Sequence, residues 1–388
     1  MPYEFLTPLN AVPQPTLPDP FLGPDGWRIR TVEDWPLQRS YIKEMLAYYL
    51  YGFMPENSGY AGGVCLISED AYQGRALKER VQIRCGPEGA VVFEVLIIRP
   101  KTGVPVPFFI WNQFSDMSPC PIEEEAVCRY GYGIAAFNRE QLARDEQGAA
   151  ALRGPCMDAY PGQSWRALAM WAWGMSRIAD YLEQTGLADR KQFIAAGFSR
   201  GGKAALCAAI YDERFAVCAA ACSGCGGAGN FRYLGSRLGS GTGTCESLGD
   251  ITRKNKYWYW FSDRAAVYGN QSQPSSLGQE ALLPFDLHFV RAAIAPRMLI
   301  TTEGLDDVWS NPFGTQLSWY ASQPVYEWLG VPAHNVMRFR EGGHAFNAED
   351  WRAVIEYSHA AFRGDAMARF SRSSGGLELN AYFDWNRP

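Results

Sequence analysis

With 388 residues, 47% of them apolar, the chain is long enough to bury a large core, and one elaborated α/β domain is the expectation. A net charge of −5, with no basic patch denser than Arg253-Lys254-Asn255-Lys256, argues against nucleic acid as a partner. No run reaches the length of a membrane-spanning helix. Met1-Pro2-Tyr3-Glu4-Phe5 also lacks the basic and apolar regions of a secretory signal, so a cytoplasmic location is expected unless the chain has been trimmed.

Six prolines between Pro8 and Pro24 forbid regular structure and predict that residues 1–30 form an arm laid over the surface. Leu37, Tyr41, Met45 and Tyr48 or Tyr49 are spaced for one face of a helix between Thr31 and Gly52. Short strand-like runs follow near 62–69, 78–84, 91–98 and 106–111, with turn residues such as Gly86-Pro87-Glu88-Gly89 between them. Leu168, Trp171, Met175, Ile178 and Leu182 then repeat at helical steps and stop near Gly186.

The apolar run Phe193-Ile194-Ala195-Ala196 leads into Gly197-Phe198-Ser199-Arg200-Gly201-Gly202-Lys203, and an Ala-rich helical run leads out. Strand, sharp turn and helix around a serine flanked by glycines define a nucleophile elbow. Two further strand-like runs, Phe215 to Ala221 and Met298 to Thr301, enclose a segment at about 223–282 rich in Gly, Ser, Tyr and Trp, read as a cap-like insert over the active site. The alternation predicts an α/β fold with a mostly parallel sheet covered on both faces.

A serine hydroxyl needs a base, and the base needs a group that holds its tautomer. Of four histidines, His344 follows a strand in the loop Glu341-Gly342-Gly343-His344 and is the candidate base; His288 reads as structural. The acid should follow a strand between serine and histidine, where Glu303-Gly304-Leu305-Asp306-Asp307 lies. Asp307 is favoured and Asp306 stays open, with Glu303 and Glu246 next in line. Arg200 supplies a backbone N–H, and its guanidinium is a further candidate, for an oxyanion. Lys203, one turn beyond Ser199, faces either the same opening or solvent.

Aromatic residues at 14% suit a site that stacks on rings, or simply a bulky core. The ten cysteines are too scattered for a disulfide scaffold, and reduced thiols are expected. Cys222-x-x-Cys225 has no second Cys or His pair near it and makes a poor metal site. Neither metal nor cofactor is required by this chemistry.

An ordered series of segments resembles the glucuronoyl esterases, serine hydrolases of α/β-hydrolase fold. It comprises Trp171-Ala172-Trp173-Gly174-Met175-Ser176-Arg177, the elbow, Ser223-Gly224-Cys225-Gly226-Gly227, Leu283-Pro284-Phe285-Asp286 with His288, Ala295-Pro296-Arg297, and Gly342-Gly343-His344. The resemblance implies hydrolysis of glucuronic or 4-O-methylglucuronic acid esters, including those joining xylan to lignin alcohols. It implies Ser199 as nucleophile, His344 as base, Arg200 as oxyanion donor, and Lys203 and Trp309 as contacts to the uronate ring. Glu246 joins these as a substrate contact. Many members carry a glutamate where this chain has Cys222, while others place the acid where Asp307 stands. Secreted fungal members have a disulfide whose two positions are Phe198 and Ala345 here, in keeping with a reducing compartment. A carboxylesterase for small acyl sugars and a non-catalytic carbohydrate-binding protein are the alternative readings.

Overall fold

The computed structural model describes residues 3–56, 59–114, 120–147, 152–235, 244–273, 275–364 and 378–388. Its strands are β1 (Gly62–Ala71), β2 (Ala76–Cys85), β3 (Val91–Pro100), β4 (Val106–Gln113), β5 (Gly133–Asn138), β6 (Ala188–Phe198), β7 (Phe215–Ala221), β8 (Met298–Gly304) and β9 (Asn335–Arg340). Its α-helices are α1 (Trp35–Leu46), α2 (Pro155–Ala159), α3 (Ala167–Gln184), α4 (Arg200–Tyr211), α5 (Leu248–Thr252), α6 (Asp263–Ala266), α7 (His288–Ile294), α8 (Pro312–Trp328) and α9 (Ala348–Arg363). These residues fall into two compact units. One, bearing Ser199, comprises Phe53–Ala219 and Phe346–Met367; the other, bearing His344, comprises Met1–Gly52, Ala220–Ala345 and Ala368–Pro388. The chain crosses from the first to the second within β7.

In the serine-bearing unit, β1, β2 and β3 form an antiparallel meander and β3 pairs antiparallel with β5; from β4 onward the pairings are parallel, β4 lying between β5 and β6. Burial follows position. β1 is largely exposed and carries charged Glu69 and Asp70, as an edge strand should, whereas β3 alternates buried and half-buried residues and β4 is buried almost throughout. All four strands lie where the strand-like runs were expected. Helix α3 buries Leu168, Trp171, Met175, Ile178 and Leu182, the residues that predicted it, and packs against α4. Helix α4 is buried from Gly201 to Ile210, so its small side chains permit close packing on β6. Truncating Leu206 there would cost about 2–5 kcal/mol through transfer and cavity terms.

In the histidine-bearing unit, β8 and β9 pair in parallel and α8 packs on β9 and α7. The helix expected between residues 31 and 52 forms as α1, continued by a π-helical turn over Ala47–Tyr51, and its buried face keeps Met45 and Tyr49 of the expected stripe but not Leu37. Trp35, Gln38, Ile42, Met45 and Leu46 face inward while Leu37 is 60% exposed. The spacing of Leu37 fits a helix equally well, and only packing, against α7, places Trp35, Gln38 and Ile42 inward in the first turns instead. The proline-rich arm has no helix beyond a single 3₁₀ turn at Pro24–Gly26, and it is anchored: Leu17 and Phe21 are buried, and the Leu17 N–H donates to the Tyr382 carbonyl at 2.8 Å.

The segment at 223–282 departs from a polar cap. Residues 223–232 are buried, and Asp286 accepts the backbone N–H groups of Phe231 and Arg232 and a guanidinium hydrogen bond from Arg232 at 3.0 Å. Its glycines let backbone rather than side chains fill this core, so composition alone reads as loop. Residues 236–243 and 274 of the segment lie outside the described residues.

Candidate active site

The serine-bearing unit builds the elbow. Ser199 sits between β6 and α4 at φ 56°, ψ −125°, a conformation that costs a non-glycine residue about 1–3 kcal/mol and persists only where its surroundings impose it. Gly197 makes the turn possible: a Cβ there would lie 2.0 Å from the Gly201 carbonyl oxygen. Gly201 in turn lets α4 approach β4, since its Cβ would meet the Asn112 carbonyl at 3.0 Å. Ser199 thereby precedes a helix N-terminus, whose dipole and N–H groups favour a developing negative charge.

Arg200 opens α4 and its side chain is held by a residue that sequence reasoning missed. Its Nη1 donates to both carboxylate oxygens of Asp145 at 3.1 Å, and Arg139 donates to Asp145 Oδ2 from Nη2 at 2.9 Å. The Asp145 side chain is fully buried, so one carboxylate compensates two guanidiniums that would otherwise repel. Burial pulls the Arg139 guanidinium below its usual range, and Asp145 opposes that shift. Asp145→Asn is expected to leave Arg139 with an uncompensated buried charge and to destabilise the protein by about 3–5 kcal/mol. A melting temperature within a degree or two of wild type would show that the network carries no such weight. Lys203 is 3% exposed, which removes the reading of it as a solvated helix residue.

The histidine-bearing unit brings the candidate base and the candidate acid together. His344 Nδ1 donates to Asp307 Oδ2 at 2.6 Å, with the histidine side chain 38% exposed and the aspartate 4%. Asp307 caps the 3₁₀ turn at Val308–Ser310 by accepting the Ser310 N–H, so its carboxylate is fixed from two sides. Asp306 is exposed. Burial alone would push the Asp307 carboxyl up, yet hydrogen bonds from His344, Ser310 and Cys222 hold it below the usual range, and it is charged at neutral pH. Gly304 lets this loop close: a Cβ there would lie 2.4 Å from the Gly343 carbonyl, in the turn that carries His344.

Other candidates are distributed as follows. His288 donates from Nε2 to the Pro18 carbonyl at 2.8 Å, is fully buried, and is pushed down to about 4 by that burial, a structural histidine tying the arm to α7. His334 bonds the Pro296 carbonyl through Nδ1. Trp309, 36% exposed, lies two residues from Asp307 and carries the Lys256 ammonium 5.3 Å from its ring centroid. Lys256 entered the sequence reading only as the end of a basic patch; the signal for a site role was the aromatic run that follows it, in which Tyr257 stacks on Trp260 at 4.0 Å. Glu246 is buried, and its N–H donates to the Trp309 carbonyl at 2.9 Å. Cys222 stands beside Asp307 and His344, whereas Cys225 is not part of that cluster. No pair among the ten cysteines forms a disulfide.

A serine on a strand-to-helix turn and a histidine oriented by a buried aspartate are the equipment of α/β-type serine hydrolases. A family model described as "Glucuronyl esterase, fungi" matches residues 85–330. A 4-O-methyl-glucuronoyl methylesterase of Schizophyllum commune is 31% identical, covering 95% of this chain and 86% of its own. A carbohydrate esterase from an unknown prokaryotic organism is 27% identical over 92% and 91%. Among solved structures, a carbohydrate esterase family 15 glucuronoyl esterase from Caldicellulosiruptor kristjansonii superposes with a TM-score of 0.78 at 28% identity, covering 96% of this chain and 97% of its own. The chain belongs to the glucuronoyl esterase family, has the α/β-hydrolase fold and is a carboxylic ester hydrolase.

The same comparisons overturn the expected cytoplasmic location: the homologous glucuronoyl esterases are secreted enzymes acting on plant cell-wall polysaccharides. That expectation rested on the first residues of the chain and on thiol chemistry. Among the described residues no helix is long and apolar enough to cross a membrane.

Proposed function

We propose that the protein hydrolyses esters of glucuronic or 4-O-methylglucuronic acid through an acyl-enzyme. Ser199 attacks the ester carbonyl, His344 takes the hydroxyl proton and returns it to the leaving alcohol, Asp307 orients His344 and offsets the imidazolium charge, and Arg200 steadies the oxyanion. Water then repeats the sequence on the acyl-enzyme and releases the free uronic acid. The observation that carries this reading is the 2.6 Å hydrogen bond from His344 Nδ1 to buried Asp307, which leaves Nε2 as the basic nitrogen.

Support for the substrate class comes from relatives named as 4-O-methyl-glucuronoyl methylesterases in Schizophyllum commune and Podospora anserina. Neither a small-acyl carboxylesterase nor a non-catalytic binding protein is favoured by the family. Lys203, Trp309 and Glu246 are the proposed contacts to the sugar. Lys203→Ala and Trp309→Ala are expected to raise KM for a methyl glucuronate ester far more than for an aryl acetate, because only the uronate offers hydroxyls to an ammonium and a ring face to an indole. Each contact is worth about 1–3 kcal/mol when desolvated. Equal losses on both substrates would mean that these residues support structure and do not read the sugar.

A further inference from the structure

Among the described residues, the Cys222 thiol is a chemically reactive group beside the base that hydrolysis does not use. Its backbone is held at φ 43°, in the left-handed region, and its N–H donates to the Thr302 carbonyl at 2.8 Å, so Sγ has a fixed direction. The single thiol proton is shared between the Ala345 carbonyl, 3.4 Å away, and the Asp307 carboxylate. One ligand atom each from Cys222, Asp307 and His344 lies within 4.8 Å of the others, and two of the three side chains are buried. Sulfur, imidazole nitrogen and carboxylate oxygen form a donor set suited to a tetrahedral thiophilic cation with water in the fourth place. Arg340 Nη2, 3.8 Å from Sγ, is a neighbouring cation that stabilises a thiolate.

We propose that Cys222, Asp307 and His344 form a binding site for a thiophilic divalent cation of the zinc and cadmium class, and that filling it switches the esterase off. The thiol proton leaves to solvent, a metal–sulfur bond forms, and the imidazole proton moves from Nδ1 to Nε2 as the metal takes Nδ1. An imidazole metallated at Nδ1 and protonated at Nε2 has no lone pair for the serine proton. Binding is a property of the three side chains alone, whereas inhibition rests on the reading of His344 as the base. No redox change and no further reactant are involved.

The test is a titration of the purified full chain with cadmium, read by the near-ultraviolet thiolate-to-cadmium absorption, alongside zinc inhibition of ester hydrolysis. Wild type is expected to show one more cadmium–thiolate equivalent than Cys222→Ser, and zinc inhibition reversed by a chelator. In Cys222→Ser, compared with its own metal-free rate, inhibition is expected to weaken by at least about tenfold. If the serine variant fails to fold, ¹¹³Cd resonance of the wild-type protein serves instead, with a signal from a one-sulfur, nitrogen and oxygen environment expected and its absence overturning the site. Equal absorption in both proteins would also overturn the site. Cadmium bound through Cys222 with hydrolysis undiminished would overturn the switch and count against His344 as base, leaving the binding site intact.

Discussion

Ser199→Ala and His344→Ala are each expected to lower kcat for a glucuronate ester by at least about 10³-fold while the protein stays folded, and losses near 10⁶-fold have precedent where such residues act as one unit. The expectation follows from the elbow and from the Asp307–His344 pair. A backbone at φ 56° is maintained at a serine whose side chain would otherwise need no such turn, and His344 combines an exposed ring with an orienting partner at 2.6 Å. Retention by either variant of more than about a tenth of the wild-type kcat, a barrier change below about 1.4 kcal/mol, would remove that residue from the chemistry. Circular dichroism and melting temperature separate loss of chemistry from loss of fold.

Asp307→Asn is expected to cost far more than Asp306→Asn. An amide at position 307 presents the wrong partner to Nδ1–H, favours the other tautomer and leaves imidazolium without a counter-charge; the same change in serine proteases costs about 10⁴-fold in kcat. Asp306 is exposed and makes no bond to His344, so its amide should be near neutral. The pair also has a stability signature. The folded carboxyl of Asp307 lies below its ordinary value of 3.8, so its contribution is fully present above that value and is lost as pH falls through the depressed one. Asp307→Asn lacks that contribution at every pH, and the gap in melting temperature between wild type and variant should therefore close in acid. A greater kinetic loss at Asp306 would move the acid there.

Legibility in the sequence tracked how local each determinant is. The elbow was readable because Gly197, Ser199 and Gly201 are close neighbours whose backbone demands do not depend on distant partners. β2 and β3 were readable because antiparallel pairing writes an alternating pattern, as in β3, and β4 because a buried parallel strand writes a nearly continuous apolar run. The inward residues of the first turns of α1 were not, because Leu37 is as apolar as its buried neighbours and α7, some 250 residues on, decides which of them is covered. Asp145 was invisible for the same reason: it is one acidic residue in a polar loop until the fold sets Arg139 and Arg200 beside it. Asp307 was favoured over Asp306 in the sequence, and the capping of the Val308–Ser310 turn that directs its carboxylate is a matter of backbone direction that composition does not carry. The buried start of the segment at 223–282 was misread because glycine, serine and alanine pack a core with backbone as readily as they form a loop.

The most direct measurement is a kinetic comparison of benzyl glucuronate with an aryl acetate and with the matching benzyl glucoside on the purified protein. Hydrolysis of a uronate ester by an acyl-enzyme predicts a kcat/KM for benzyl glucuronate well above that for the acetate, with release of benzyl alcohol and glucuronic acid and no cleavage of the glucoside. A preference for the acetate, or no turnover of the glucuronate by a protein whose Ser199 is intact, would contradict it.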